Sequence, residues 1–176
     1  MKKLFLTLSL IFFVSATSFS QKYAYVDTDY ILKNIPEYAD AQDQLNELSA
    51  KFQKEVEAKY SEIDSLYKAY QAEAVLLPED MKTKKENEII ALEKEAKDLK
   101  MQRFGSNGDI FKKRQELVKP IQEKIYNAIQ EIAENRTYAV IFDKAGSLSM
   151  LYTNPKYDIS DDVLDKLGYS YNIEKK

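Results

Sequence analysis

From Glu37 to Arg136 the chain holds a helical spacing of apolar residues for about a hundred positions, and breaks it once, at Leu76-Leu77-Pro78-Glu79-Asp80. The first stretch carries Tyr38, Ala41, Leu45, Leu48, Phe52, Val56, Tyr60, Ile63, Tyr67, Tyr70, Ala74 and Leu77. Its steps alternate between three and four residues, with one run of fours, a stutter that relaxes a left-handed supercoil. The return stretch carries Ile89, Leu92, Ala96 and Leu99, then Ile110, Leu117, Ile121, Ile125, Ala128 and Ile132. Two such arms joined by one tight turn form a long antiparallel hairpin that is too extended to own a core. Its seam must close on itself, on copies of itself, or around a bound chain. That shape suits a scaffold or a gripping device, and it does not suit a compact enzyme.

Local signals mark the ends of the arms. Pro36, preceded by Asn34 or Ile35, fits the first helical turn; Pro78 ends the first arm, and Asp80 is placed to cap the second. Within Phe104-Gly105-Ser106-Asn107-Gly108-Asp109 the apolar pattern thins. One reading is a weak spot in a continuous helix, and the other is a hinge at Gly105 and Gly108. Provided neither glycine has positive φ, alanine at both is expected to stabilise the arm by about 1–2 kcal/mol in total. Pro120 is expected to add a second kink.

At the N-terminus, Lys2 and Lys3 precede the acid-free apolar run Leu4–Val14 and then Ser18-Phe19-Ser20. This is the pattern of a secretory signal peptide over residues 1–20, cleaved near Ser20, with an apolar run shorter than the roughly 20 residues a bilayer span requires. With Cys 0 and His 0, the chain offers no disulfide, thiol nucleophile or histidine-based triad, and it lacks the usual transition-metal ligands. Cleavage leaves 24 basic against 29 acidic residues, a net charge of −5, which argues against nucleic acid as a partner.

About sixty mature residues remain outside the hairpin, enough only for a marginal core, so association between chains is expected. Residues 21–35 supply a strand at Lys22–Val26 and a short helix that Asp29 would cap; residues 137–176 supply the rest of a head. There Tyr138–Phe142 and Leu148–Tyr152 read as strands joined into a hairpin at Lys144–Ser147. Ser160 would cap a last helix, with Asp161 and Asp162 in its first turn and Gly168 closing it. Asp27 and Asp29 have no accompanying base, nucleophile or oxyanion donor to make them catalytic. Asp158, Asp161 and Asp162 read as helix-capping groups, not calcium ligands, and Lys112-Lys113-Arg114 as a solvated helical face.

The order of these parts resembles the Skp/OmpH family of periplasmic chaperones. The likeness is carried by the tyrosine-rich strand ending Val26-Asp27, the charged hairpin, Pro120-Ile121 to Ile132, Tyr138-Ala139-Val140-Ile141-Phe142-Asp143, and Tyr157-Asp158-Ile159-Ser160-Asp161-Asp162-Val163. It implies an α+β fold: a helical coiled-coil hairpin over residues 36–136, turning near 76–80, on a small β head that forms a trimeric barrel. It further implies a periplasmic homotrimer that holds unfolded outer-membrane proteins between its arms and is not inserted in the membrane. The arms of familiar members are strongly basic; these are mixed, so no lipopolysaccharide or anionic-lipid site is carried over.

On this reading the protein is an ATP-independent holdase with no cofactor and no enzymatic activity; neither GxxxxGK[ST] nor GxGxxG occurs in it. The alternative is a coiled-coil adaptor or spacer of an envelope complex, presenting Val75-Leu76-Leu77-Pro78 at its tip. The oligomerisation head would draw on Tyr25, Val26, Val140, Ile141, Phe142, Leu148 and Met150. Phe52, Tyr60, Tyr67 and Tyr70 are candidates for client contact: they either pack the arm or line its client surface, where a tyrosine gives apolar area and a hydroxyl together.

Overall fold

The computed structural model describes residues 21–146 and 150–169. Strand β1 (Lys22–Val26) is followed by helix α1 (Thr28–Lys33), then the three long helices α2 (Pro36–Glu73), α3 (Glu79–Phe104) and α4 (Asp109–Arg136). Strand β2 (Tyr138–Asp143), a 3-10 turn at Pro155–Tyr157 and helix α5 (Ser160–Leu167) complete the order. The described chain divides into two units, one comprising residues 35–125 and the other residues 21–34 with 126–169.

The larger unit is the helical hairpin. Ile35, with extended backbone, precedes α2, and Pro36 occupies the opening turn as expected. The helix stops at Glu73, four residues before Leu77; Ala74 to Leu77 form the turn. Pro78 is extended and stands just before α3 with no side-chain cap, so Asp80 lies in the first turn and does not cap it. Ile63 of α2 packs with Ile89 and Ala96 of α3, flanked by Tyr70 and Leu92. Antiparallel order shows in the cross-links: Lys85 pairs with Glu73 at 2.7 Å and Arg103 with Glu55 at 3.0 Å, so as one number rises the other falls.

The return arm is two helices. α3 ends at Phe104 and α4 begins at Asp109, with the glycine segment as a true break between them. Beyond the break, Val118 is buried in place of the expected Leu117, which is only half-buried, and Ile121 and Ile125 are buried as the spacing indicates. α4 then runs unbroken through Pro120.

The smaller unit holds a two-stranded parallel sheet, with Tyr23 opposite Val140, Ala24 opposite Ile141, Tyr25 opposite Phe142 and Val26 opposite Asp143. Parallel pairing demands a crossover connection, and here the crossover is the whole stretch between Asp27 and Thr137. Thr137, with φ 55°, turns the chain out of α4 directly into β2. Ala24, Tyr25, Val26, Ile31, Ile159, Val163 and Leu164 are buried; each larger aliphatic side chain among them contributes about 1.5–3 kcal/mol through its burial.

Side-chain caps differ from those expected. α1 starts earlier than Asp29 would allow, and its cap is Asp27, whose carboxylate accepts from the Tyr30 N–H at 3.0 Å. Ser160 is the first helical residue of α5 and not its cap; its hydroxyl accepts from the Asp27 N–H at 2.8 Å and donates to Asp158 at 2.6 Å. Gly168 closes α5 in the left-handed region, φ 82°, as glycine there should. Met150, Leu151 and Tyr152 are not strand residues, so the expected hairpin with β2 is absent there; Ser147, Leu148 and Ser149 lie outside the described residues.

Candidate functional site

The four arm residues named from the sequence part into two pairs. Phe52 is buried: the Arg103 guanidinium lies 4.4 Å above its ring, and Phe104 meets it edge-on at 6.4 Å. Tyr70 is half-buried against the distal seam and donates its hydroxyl to Glu86. That bond to a carboxylate raises the Tyr70 pKa, because ionising the phenol would set two negative oxygens together. Both residues build the arm. Tyr60 and Tyr67, in contrast, are 43% and 47% exposed.

Two residues that periodicity did not select join them. Ile90 and Met101 are 60% and 64% exposed on α3. At about 100° per residue, Tyr60 and Tyr67 stand about 60° off the Ile63–Tyr70 line of α2, and Ile90 about 110° and Met101 about 130° off the Ile89–Ala96 line of α3. In antiparallel helices two rotations of the same sign lead to the same flank. The four therefore form one ladder: Tyr67 stands level with Ile90, Tyr60 lies further along, and Met101 lies at the far end, roughly 16 Å away at about 1.5 Å per residue. Leu66 falls on the opposite flank. Single exposed apolar residues are ordinary on a protein surface; here four large ones share one flank of the helix pair.

In the smaller unit, an open concavity of about 690 Å³ is bounded by Lys22, Tyr23, Tyr138, Phe142, Met150, Tyr152 and Tyr157, among others. Val140 and Phe142 of β2 are exposed, as is Tyr23 of β1, and Ile141 is half-buried. Tyr25 and Val26 are buried within this unit itself, and Met150 is half-buried. Leu148 lies outside the described residues. Asp27 is committed to the Tyr30 N–H and to Lys144 at 3.5 Å. Among the described residues no group of three or more His, Cys, Asp or Glu side chains is placed to hold a metal. None of the described helices is long and apolar enough to cross a membrane.

The model of the OmpH-like outer membrane protein family matches residues 22–167, the strands, the hairpin and the closing helix together. The chain belongs to that family. An uncharacterized protein of Aquifex aeolicus is 32% identical to it over 167 residues, covering 95% of this chain and 96% of its own. A solved OmpH-like protein of Caulobacter crescentus, assigned to the outer membrane chaperones, superposes with a TM-score of 0.64 at 14% identity over 84% of each chain. At that identity the likeness concerns the fold. In this OmpH-like chain, exposed apolar side chains lie along the flank of the hairpin and around the aromatic concavity of the smaller unit.

Proposed function

We propose that this OmpH-like protein is an ATP-independent periplasmic holdase that keeps unfolded outer-membrane proteins from aggregating. The observation that carries the reading is the exposure of Tyr60, Tyr67, Ile90 and Met101 along one flank of the paired helices α2 and α3. Strands of outer-membrane barrels alternate apolar and polar residues, so an unfolded barrel protein presents small, scattered apolar contacts. A row of separate apolar rungs holds such a chain weakly at many points, and tyrosine tolerates polar neighbours through its hydroxyl. Family membership and the fold shared with the Caulobacter protein support a chaperone role. The secretory N-terminal pattern supports the periplasm. With no phosphate-binding motif in the sequence, release is by handover to the next binding partner.

The head is proposed to bring three chains together through the exposed apolar residues of β2 and the adjoining concavity, so that three arms face one client. The decisive experiment places a photo-crosslinking residue at Tyr60, Tyr67, Ile90 or Met101 and, as control, at Leu66, with an unfolded β-barrel protein and no ATP. Cross-links from the four ladder positions, together with suppressed aggregation, are expected. Equal yields from Leu66, or no protection by the wild type, would defeat the proposal. An adaptor would instead cross-link through Val75 and Leu76, which are 91% and 86% exposed at the hairpin turn.

A further inference from the structure

At the break between α3 and α4 one side chain touches all three long helices. Arg103, next to last in α3, forks onto Glu55 of α2: Nε donates to Oε2 at 3.1 Å and Nη2 to Oε1 at 3.0 Å. Its Nη1 donates to Asp109, the first residue of α4. The same guanidinium is stacked on Phe52, which Phe104 closes from its edge. A planar, always-charged fork reaching two carboxylates on different helices is a geometry that lysine cannot reproduce.

The glycines fit this closure tightly. Neither has positive φ. A Cβ on Gly105 would run into the Met101 carbonyl oxygen, and one on Gly108 would lie 2.8 Å from both the Gln102 carbonyl oxygen and the Gly105 nitrogen. Gly108 is buried, its N–H donates to the Gly105 carbonyl at 2.9 Å, and its own carbonyl accepts from Lys112 at 3.0 Å. A loose hinge has open space around its backbone. Here neither glycine has room for a Cβ, while Ser106 and Asn107 between them are exposed.

We propose that Arg103 is the lock of an articulated joint. While it spans Glu55 and Asp109, α3 and α4 are fixed to α2 and to each other; when it lets go, the two helices swing about residues 105–108. Met101 lies two residues before the lock, so opening it moves the last rung of the ladder relative to Tyr60 and Tyr67. That use, fitting the ladder to clients of different bulk, rests on the holdase reading; the lock itself does not.

Hydrogen exchange on the full mature protein without client tests it. Arg103→Met keeps the apolar stem over Phe52 and removes the fork; Arg103→Lys keeps the charge without the fork. Exchange of amides 104–112 is expected to rise about tenfold in Arg103→Met and less in Arg103→Lys, with amides 89–99 unchanged. Should Arg103→Met fail to fold, Glu55→Gln and Asp109→Asn each remove the negative charge at one end of the fork, and both should speed exchange in that same segment alone. Unchanged exchange at 104–112, or a uniform rise along the arm, would overturn the lock. If the joint loosens and yet large and small clients are protected as before, the lock stands and its coupling to client holding is lost.

Discussion

Gly108 shows how far a residue's effect depends on its neighbours. In a continuous helix alanine would be the better residue, and the sequence alone predicts a gain. In the break, the new Cβ meets two backbone atoms at 2.8 Å that cannot move aside cheaply. Gly108→Ala is therefore expected to destabilise the arm by about 1–3 kcal/mol, the range of overpacking, read from urea unfolding followed by circular dichroism. Glu55 gives a second prediction at this scale. The Arg103 hydrogen bond holds its pKa below the ordinary carboxylate value. The unfolded chain therefore takes up the proton first as acid is added, and stability from this pairing, fully present above the ordinary carboxylate pKa, is lost as pH falls through the lowered one. The charged groups around it are Lys51 on α2, Arg103 on α3 and Asp109 on α4. Lower protection factors at 104–112 below that range are expected in the wild type, with a smaller change in Glu55→Gln. None of this clamp was legible in the sequence: an arginine reaching carboxylates 48 and 6 positions away follows no local period. Asp27 was missed as the α1 cap for a smaller reason, since Asp29 offers the same chemistry two residues later.

At the scale of elements, the 3–4 spacing did reveal the hairpin. Ile63, Ile89, Ala96, Tyr70 and Leu92, all selected from that spacing, form the distal seam. Spacing reports which residues face the partner helix and is silent about those beside the seam. Hence Tyr60 and Tyr67 were legible because they also sit near the seam line, while Ile90, directly after the buried Ile89, and Met101 became visible only with the second helix in place. The break between Phe104 and Asp109 is a similar case: two glycines signal weakness, but only packing decides whether the weakness is open or shut. Deleting Glu62 to Leu99 and bridging with a short turn removes the distal seam together with Tyr67 and Ile90. It leaves Glu55, Arg103 and Asp109 in the chain. Protection of an unfolded barrel protein is expected to fall in an aggregation assay while assembly, followed by light scattering, persists. Undiminished protection would move client holding away from the arm.

For the whole molecule, β1, β2 and the closing helix of the head were legible, while the third strand expected at Leu148–Tyr152 is not formed at Met150–Tyr152, Ser160 does not cap the helix, and the parallel pairing of β1 with β2 was not legible. Sequence distance gives no sign that Tyr23 meets Val140. If the head assembles as proposed, Ile141, half-buried between exposed Val140 and Phe142, is a position where Ile141→Asp is expected to oppose assembly by introducing an unpaired carboxylate into apolar surroundings. Sedimentation of the mature protein should show a trimer for the wild type and smaller species for Ile141→Asp; a wild-type monomer at micromolar concentration would remove the assembled cage. The parallel pairing of β1 and β2 also sets an order of events in time. β1 emerges early, and its partner is made only after the entire hairpin. Closing so long an intervening chain from a random coil would be entropically slow, but the hairpin is built from local contacts and folds back on itself, α4 returning beside α2 where Leu48, Lys51 and Lys113 share a groove. The arm thus performs its first service on its own polypeptide, shortening the search by which the two strands find each other.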